Sequence, residues 1–597
     1  MYRSLITYIF FIASFMILMG ACAKISSPSG GPKDKQPPVV IKTVPENGAK
    51  NFMGKSFAIT FDEYVVLDNI NEKFMVSPPM KQKPVILIKG KSVNVTFEDE
   101  LKDSTTYTFY FLDAIKDLNE GNVIDNYQFV FSTGPVLDSL SVTGNVYNSF
   151  DLEAPEKTLV LMYSEMDDSA VVKDLPDYIS RVDQNGYFRF DNVHPGKFRL
   201  YALIDIDNSK NYNLIDEEFA FMDSTIYVTT ERSFIPVVND TSILEKTLKK
   251  VLAPPVQNGE YHLLLFTALK KDHYLTGTSR NLKFQMIYTL SLPPDSMKFE
   301  FSIPEASNDT YFTEKNRNGD TLKVWLTDSV LYSQQEIITH VKYPFTDTLG
   351  TVVYKEDTVL MRFLEPRAPR AAKVKKPAFV VDANIRNGSI KPGQQITFTS
   401  QTPLRQPDTS RIWLYQLLDT TRIKIPYSLV KDSTNSCKYL FESKLSANNK
   451  YLFIADSASF GNIYNESTDS TGIGFSVKDP DSYGKLTLNI TSNDGDLIIH
   501  LLDKTEKLVR EAHLNKDRLV VFPLLENGFY RVRAIYDLNG DGKWNTGAFA
   551  ARLQPEPVSY YPTELEIKIG WELDQDWDVR VKNMKDQKLR TKKAKKK

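Results

Sequence analysis

Apolar and polar residues alternate along most of this chain, in short runs separated by turn-forming residues. Phe57, Ile59 and Phe61 occupy every second position of one such run. Further runs follow at spacings of ~8–12 residues. They are Val85/Leu87, Val93/Val95/Phe97, Phe109/Phe111 and Phe129/Phe131. A period of two residues is that of a β-strand with one buried face, so the pattern predicts an all-β fold built from β-sandwich domains.

One longer pattern occurs twice. Residues 190–213 align without a gap with residues 522–545, and the alignment places Asp205 on Asp537. In each copy an alternating strand runs into a loop rich in Asp and Asn. The inward positions of these strands are Phe198/Leu200/Ala202/Ile204 and Tyr530/Val532/Ala534/Tyr536. An internal repeat of this kind predicts a duplicated array of β-domains.

Length and composition fit a protein of several domains. The 597 residues are too many for one core, and a prior of ~100–200 residues per domain suggests about four or five domains. A hydrophobic content of 42% and a charged content of 25% are ordinary for globular domains. The formal net charge of −2 argues against a nucleic-acid partner, because such proteins need a basic face to displace phosphate counterions.

The first residues have the pattern of a secretory signal. Arg3 precedes an apolar run, residues 5–19, and small residues follow before Cys22. The sequence Leu18-Met19-Gly20-Ala21-Cys22 resembles the lipobox of bacterial lipoproteins. That resemblance implies cleavage before Cys22 and acylation of this cysteine, so the lipid would be a membrane partner. A cleaved peptide ending in Ala and a short transmembrane anchor are the alternatives.

The residues after Cys22 bear on localisation. Ala23 stands where inner-membrane retention signals carry Asp, so the resemblance implies the outer membrane. Surface-exported lipoproteins of Bacteroidota carry acidic residues just after the cysteine, and residues 23–27 contain none. Periplasmic and surface-facing orientations therefore both stay open.

The segment that begins at Pro37 carries a second resemblance. Its motifs are Pro37-Pro38, Pro45-Glu46-Asn47-Gly48, Ile59-Thr60-Phe61-Asp62-Glu63, Leu101 with Thr105-Thr106-Tyr107, Gly121-Asn122 and Phe131-Ser132-Thr133. In this order they resemble the bacterial Ig-like domain of the SbsA type. Leu101 and Tyr107 have the spacing of a tyrosine corner, in which a Tyr hydroxyl bonds to backbone a few residues upstream. Leu445 and Tyr451 repeat this spacing and suggest a degenerate second copy.

Residues 186–196 lead into the repeated strand and resemble the transthyretin-like modules of the Cna-B and carboxypeptidase-regulatory families. Such modules serve as spacers, and some bind carbohydrate. From these patterns we predict the following segments: a signal peptide (1–21), lipidated Cys22 with a flexible tether (22–36), a bacterial Ig-like domain (37–134), a transthyretin/Cna-B-like β-domain (138–240), a β-sandwich of unrecognised family (241–370), a degenerate Ig-like domain (378–478), a second transthyretin-like β-domain (484–580) and a basic disordered tail (581–597).

The loop after the second copy of the repeated strand is a candidate calcium site. It matches D-x-[DN]-x-[DN]-G, which places oxygen ligands at alternate positions around Ca²⁺. The candidate ligands are Asp537, Asn539, Asp541, Lys543 and Asn545. Position twelve, where a bidentate acid is expected, is Ala548. The alternative is a solvated turn that caps a hairpin without a metal.

The first copy of this loop has the opposite defect. Asp205, Asp207, Ser209 and Asn213 are joined by Asp216 at position twelve, but Lys210 replaces the expected Gly. We therefore expect no cofactor except Ca²⁺ at the loop beginning with Asp537, and a weaker case for the first copy.

No catalytic motif is recognisable in the sequence. The six His residues lie in different segments, and Cys437 has no activating neighbour in the sequence. The sequence therefore favours a non-catalytic, monomeric envelope protein that acts as a structural or adhesion scaffold, with envelope proteins or polysaccharide as partners. A carbohydrate-binding lipoprotein, with sugar-stacking Trp413, Trp544, Trp571 or Trp577, is one alternative. A hydrolase whose carboxylates converge in space is another.

Overall fold

The computed structural model describes residues 34–229, 234–236, 250–252 and 261–580, except for 271, 295–296, 305, 308, 349, 366–378, 420, 493–494 and 516–517. The predicted signal peptide, Cys22, most of the tether and the basic tail lie outside the described residues. The described part is nearly all β-structure arranged in several sheets, which confirms the predicted all-β fold of tandem β-sandwiches. It contains three short α-helices: α1 (Ile70–Lys73), α2 (Ala170–Lys173) and α3 (Ser329–Ser333).

The chain forms two compact units. The first consists of Met1–Asn148 and Glu153–Leu265, and the second of Ser149–Leu152 and Phe266–Lys597. In the part of the chain that the structure describes, no helix is long and apolar enough to cross a bilayer. Each unit is built from separate hydrophobic cores.

The first unit begins with a β-sandwich of nine strands. They are β1 (Val40–Val44), β2 (Ser56–Phe61), β3 (Val65–Leu67), β4 (Met75–Ser77), β5 (Val85–Lys89), β6 (Ser92–Thr96), β7 (Thr106–Leu112), β8 (Ile115–Asp117) and β9 (Tyr127–Ser132). The sheets β1-β2-β6-β5 and β4-β7-β9 enclose the core, and β3 pairs with β8. Phe57 stacks on Phe129 with ring centroids 4.0 Å apart and meets Phe109 edge-on at 4.8 Å.

Strand β5 turns the opposite face inward from the one that the pattern predicts. Val85 and Leu87 are 56% and 55% exposed, and Ile86 packs against the core. Four of the five residues of β5 are apolar, so the alternation does not determine which face is buried. Val85 and Leu87 therefore lie on the face of the sheet opposite the core, in solvent.

Both predicted tyrosine corners are present. The Tyr107 hydroxyl accepts a hydrogen bond from the Lys102 N–H at 2.9 Å. The Tyr451 hydroxyl accepts one from the Ser446 N–H at 2.8 Å. Each Tyr is buried, and the same corner in two domains supports the interpretation of residues 378–478 as an Ig-like copy.

The second β-domain of the first unit carries the first copy of the repeat. Its strands are β10 (Leu140–Asn148), β11 (Leu159–Tyr163), β12 (Tyr178–Arg181), β13 (Tyr187–Val193), β14 (Gly196–Leu203), β15 (Glu218–Phe221), β16 (Ile226–Val228) and, after the short pair β17 (Phe234–Pro236) and β18 (Lys250–Leu252), β19 (Tyr261–Thr267). One sheet has the order β12-β11-β14-β15-β19-β10-β13, and β16 also pairs with β14.

Strand β19 crosses the domain boundary predicted at 240. It pairs in parallel with β10, with Gly144 opposite Tyr261, and Leu263 and Leu265 lie in the core of this domain. The apolar run 262–266 suggested the start of the next domain because a parallel pairing joins segments that are distant in sequence and leaves no local signal. The sheet of this domain therefore extends beyond residue 240.

The second unit contains three further β-domains. The first consists of β20 (Leu275–Leu282), β21 (Gln285–Leu290), β22 (Glu300–Ser302), β23 (Tyr311–Lys315), β24 (Thr321–Leu326), β25 (Glu336–Thr346) and β26 (Val352–Arg362). The second consists of β27 (Asp382–Ala383), β28 (Ser389–Ile390), β29 (Ile396–Thr399), β30 (Ile412–Leu418), β31 (Thr421–Lys424), β32 (Tyr427–Lys431), β33 (Lys438–Ser443), β34 (Lys450–Ala455) and β35 (Thr471–Val477). The third consists of β36 (Gly484–Ser492), β37 (Leu497–Asp503), β38 (Leu508–Leu514), β39 (Leu519–Leu525), β40 (Gly528–Tyr536), β41 (Val558–Tyr560), β42 (Leu565–Ile567) and β43 (Glu572–Asp578). The last domain repeats the plan of β10–β19, because β36 pairs with β39 on one side and in parallel with β43 on the other.

Candidate functional site

The two repeated loops begin where β14 and β40 leave their sheets. Phe198, Leu200 and Ala202 of β14 lie in one core, and the matching residues of β40 lie in the other. The opposite faces are also covered, since Tyr201 and Ile535 are 1% and 0% exposed. The second half of each predicted half-buried strand is thus buried on both faces, which holds the start of each loop in place.

In the second copy, Asp537 organises the loop. Its carboxylate accepts the N–H groups of Gly540 at 2.7 Å, Asp541 at 3.2 Å and Gly542 at 2.9 Å. Gly540 and Gly542 have φ angles of 72° and 74°, a left-handed conformation that glycine adopts without strain. The Asp537 side chain therefore holds the turn in a tight ring.

The structure brings the other predicted ligands to this ring. Asn539 Oδ1 accepts the Asp541 N–H at 3.0 Å, and Asn545 Nδ2 donates to Asp541 at 3.1 Å. The Oδ1 atom of Asn545 is buried and has no hydrogen-bond partner in the described structure. Lys543 could contribute only its backbone carbonyl, as position seven does in such loops.

A buried acid that the motif did not reveal completes each loop. Glu556 is 5% exposed, and its two oxygens accept the N–H groups of Leu538 at 2.7 Å and Asn545 at 2.9 Å. In the first copy Glu217 is fully buried and accepts the aligned N–H groups of Ile206 at 3.1 Å and Asn213 at 3.3 Å.

The position-twelve acid of the first copy was misassigned. Asp216 is exposed, and Glu217 beside it turns inward. Each buried Glu lies one or two residues before a strand that pairs with the repeated strand, β15 or β41. Aligning those strands, instead of counting twelve positions, would have found both acids.

The first copy keeps the loop shape without the glycine. Lys210 takes the place of Gly542 and has a φ angle of 62°. The carboxylate oxygens of Asp205, Asp207 and Glu217 lie within 4.8 Å of one another. Burial raises the pKa of Asp205, and hydrogen bonds from Asn213 and Ser209 lower the pKa of Asp207 to about 2.

These oxygens suit a hard cation. Carboxylate and amide oxygens are the ligands that Ca²⁺ takes, and each carboxylate oxygen that accepts an N–H keeps a second lone pair. The orphaned oxygen of Asn545 fits the same chemistry. The backbone hydrogen bonds also explain both loops as hairpin caps without a metal.

Calcium should raise the melting temperature of a fragment spanning 480–580 if the loop of Asp537 binds it, because the ion then binds only the folded state. All members of this core fall between residues 486 and 579, so the fragment contains its own core. Differential scanning calorimetry at ~10⁻³ M Ca²⁺, the affinity range of extracellular modules, checks this. A matched Asp541→Ala fragment should show no shift, and an equal shift in both fragments would reject the site.

The Trp residues of the carbohydrate hypothesis have different environments. Trp577 is 3% exposed and belongs to the core of the last domain. The indole N–H of Trp544 donates to the Glu556 carbonyl at 3.0 Å, and Trp413 is half-buried. Trp571 is 55% exposed, with the Lys568 ammonium 4.7 Å from its ring centroid. Trp571 thus has the most open ring of the four.

Cys437 lies in a turn just before β33 and is buried. Burial and the nearby Glu314 carboxylate raise the pKa of its thiol to about 11. Since the thiolate is the reactive form, this environment supports the interpretation of Cys437 as an unreactive residue.

Comparison with known proteins bears mainly on the first domain. The family model for a bacterial Ig-like domain matches residues 34–133, which shows that this segment is such a domain. No curated protein matches the sequence.

Solved structures give low similarity. The N-terminal part of the bacterial S-layer protein SbsC is 17% identical with a TM-score of 0.12, and the match covers 30% of this chain and 42% of that one. The major pilin subunit BcpA of Bacillus cereus is 9% identical with a TM-score of 0.13, covering 74% and 99%. An α2-macroglobulin fragment from Escherichia coli is 11% identical with a TM-score of 0.16, covering 50% and 97%. Scores this low carry no statement about function.

Proposed function

We propose that this protein is a lipid-anchored envelope scaffold, in which pairs of β-domains present surfaces to envelope proteins or polysaccharide without catalysing a reaction. The observation that carries the proposal is the way in which neighbouring domains are joined within each unit. A scaffold must transmit position from one domain to the next, and specific hydrogen bonds between domains do this better than a flexible linker.

In the first unit, the Ig-like domain and the domain after it are joined by side chains that bond to backbone. Ser77 Oγ accepts the buried Ile179 N–H at 3.1 Å, and the Tyr110 hydroxyl accepts the Asp191 N–H at 3.4 Å. Asn192 Nδ2 donates to Thr108 at 3.0 Å. These bonds link β4 to β12 and β7 to β13, so strand edges of the two domains hold a fixed register.

In the second unit, Glu314 links two domains. One carboxylate oxygen accepts the Ser436 N–H at 2.7 Å, and the other accepts the indole N–H of buried Trp325 at 2.9 Å. Phe284 stacks on Tyr464 with ring centroids 3.8 Å apart. Glu314 and Trp325 belong to one domain and Ser436 to the next, so sliding between the two domains would leave one carboxylate oxygen without its partner.

The lipid anchor rests on the lipobox resemblance around Cys22. A chain anchored by acylation needs no membrane-spanning helix, and two or more acyl chains hold a protein stably on a bilayer. We assign the protein to the outer membrane because Ala23 follows the cysteine. Its orientation in that membrane stays open.

The basic tail supplies a second contact in this proposal. Lys588, Arg590 and five lysines between 592 and 597 should attract anionic lipid or polysaccharide by up to ~1 kcal/mol per charge near the surface. Deleting 585–597 should therefore weaken binding to anionic vesicles, and salt should weaken binding of the full chain. Co-sedimentation at two ionic strengths measures this. Salt-independent binding that survives the deletion would remove the tail from the proposal.

A carbohydrate-binding role is the second candidate, and one observation favours it: the exposed ring of Trp571. Glycan-array binding that Trp571→Ala abolishes would support it. If the protein is only a scaffold, the intact chain and the Trp571→Ala variant should show the same weak glycan-array signal.

A further inference from the structure

A cavity of about 350 Å³ lies within the first unit, between the Ig-like domain and the domain after it. Residues 70–86, from α1 to β5, form one wall. The other wall is formed by β11, β12 and the loop after β14. Its volume is within the range of about 300–1,000 Å³ that is usual for small-molecule sites. The first candidate calcium loop contributes Asp205 and Lys210 to the lining, but neither this loop nor the proposed scaffold function accounts for the apolar space.

The body of the cavity is apolar. Phe74, Met75, Met80 and Ile86 line it from the Ig-like domain, and Ile179 lines it from the other side. An apolar cavity of about 150 Å³ holds one benzene ring, so this one has room for roughly a dozen non-hydrogen atoms. A straight alkyl chain of medium length satisfies both the volume and the apolar lining.

The ionisable side chains that line the cavity are mainly cationic. Lys83, Arg181 and Lys210 line it, and Asp205 is the only acidic residue among its lining residues. The Asp205 carboxylate already accepts the N–H groups of Ser209 at 3.1 Å and Lys210 at 3.0 Å. The cavity therefore has an excess of positive charge.

Arg181 is incompletely bonded. One terminal nitrogen donates to the Glu72 carbonyl, but its Nε is buried and has no hydrogen-bond partner in the described structure. A buried N–H without a partner is costly. A carboxylate in the cavity would instead bind at the terminal nitrogens of Arg181, because its two oxygens match the planar guanidinium. Lys210, which forms no ion pair in the described part of the chain, supplies a second positive charge.

We propose that this cavity binds a medium-chain alkyl carboxylate, with the chain among Met75, Met80 and Ile86 and the carboxylate at Arg181 and Lys210. The site lies at a domain joint on which the proposed scaffold function also rests, but ligand binding needs neither the lipid anchor nor the basic tail, so either proposal can fail without the other. A ligand bound there would contact both domains at their joint.

The test uses the full chain labelled with ¹³C at its Met methyl groups and decanoate as the probe. Saturable shifts of the Met75 and Met80 resonances are expected, with none at Met286, which is buried in the second unit. Decanol should bind at least about tenfold more weakly, because it lacks the charge. Decyltrimethylammonium should not bind at all.

Three variants locate the two ends of the ligand. Arg181→Gln and Lys210→Gln should each raise the Kd for decanoate about tenfold, and the exposed Lys173→Gln is the matched control with no change. Ile86→Trp should fill the cavity and abolish the shifts. If Arg181→Gln does not fold, Lys210→Gln still decides the charge requirement. Equal affinity for decanol, or no shift of Met75 and Met80 up to about 1 mM decanoate, would overturn the proposal.

Discussion

Replacing Glu217 with alanine should lower the free energy of unfolding of its domain by about 3 kcal/mol. Its carboxylate is fully buried and accepts three backbone N–H groups, those of Ile206, Asn213 and Leu214, at 3.1–3.3 Å. Hydrogen bonds to a charged group contribute about 1.5–3 kcal/mol each. Because these three bonds are at the long end of the distance range, we take about 1 kcal/mol for each, which gives the total of about 3 kcal/mol.

The neighbouring acid provides the control. Asp216→Ala removes the same charge from an exposed position and should change the free energy by no more than about 0.5 kcal/mol. All five Trp residues lie in the second unit, so hydrogen exchange across a urea series, followed on peptides covering 196–221, is the suitable measurement. A larger loss of unfolding free energy from Asp216→Ala than from Glu217→Ala would instead favour Asp216, the acid that the motif indicated.

The second large effect is expected at Trp577. Its side chain is 3% exposed within the core of the last domain and meets Tyr561 edge-on at 5.8 Å. Truncating a buried Trp to alanine removes apolar contact and leaves a cavity, and it costs about 3–5 kcal/mol. Far-UV circular dichroism of the 480–580 fragment in urea measures the loss without relying on Trp fluorescence.

Trp571→Ala is the matched variant in the same domain. This side chain is 55% exposed, so the change should stay within about 0.5 kcal/mol. Similar losses from both variants would contradict the core placement of Trp577. The two variants also separate an effect on stability from an effect on carbohydrate binding, since of these two residues only Trp571 has an exposed ring that a sugar could stack on.

The sequence predicted most of the fold because β-structure leaves a local signal. Alternation located the strands of the first sandwich, and Tyr107 and Tyr451 marked equivalent corners in two domains. The pattern failed where a contact between residues distant in sequence, or the surrounding packing, determines the structure. The parallel pairing of β19 with β10 joins residues 144 and 261, and the apolar run of β5 fits either face equally well.

The candidate site was predicted only in part for the same reason. Asp537, Asn539 and Asp541 lie within one turn and are visible as a motif. Glu217 and Glu556 lie just before the next paired strand, after loops of different length, so no fixed spacing reveals them. The cavity of the first unit is formed by two domains together, and a pattern within either domain does not encode it.

The central claim is that an acylated Cys22 anchors this protein in the envelope. Growing cells on labelled palmitate and then fractionating their membranes tests it most directly, with the intact chain compared with Cys22→Ser. We predict label on the intact chain in the outer-membrane fraction, and an unlabelled, unprocessed precursor for the variant. A processed, labelled Cys22→Ser protein in the same fraction would contradict the account.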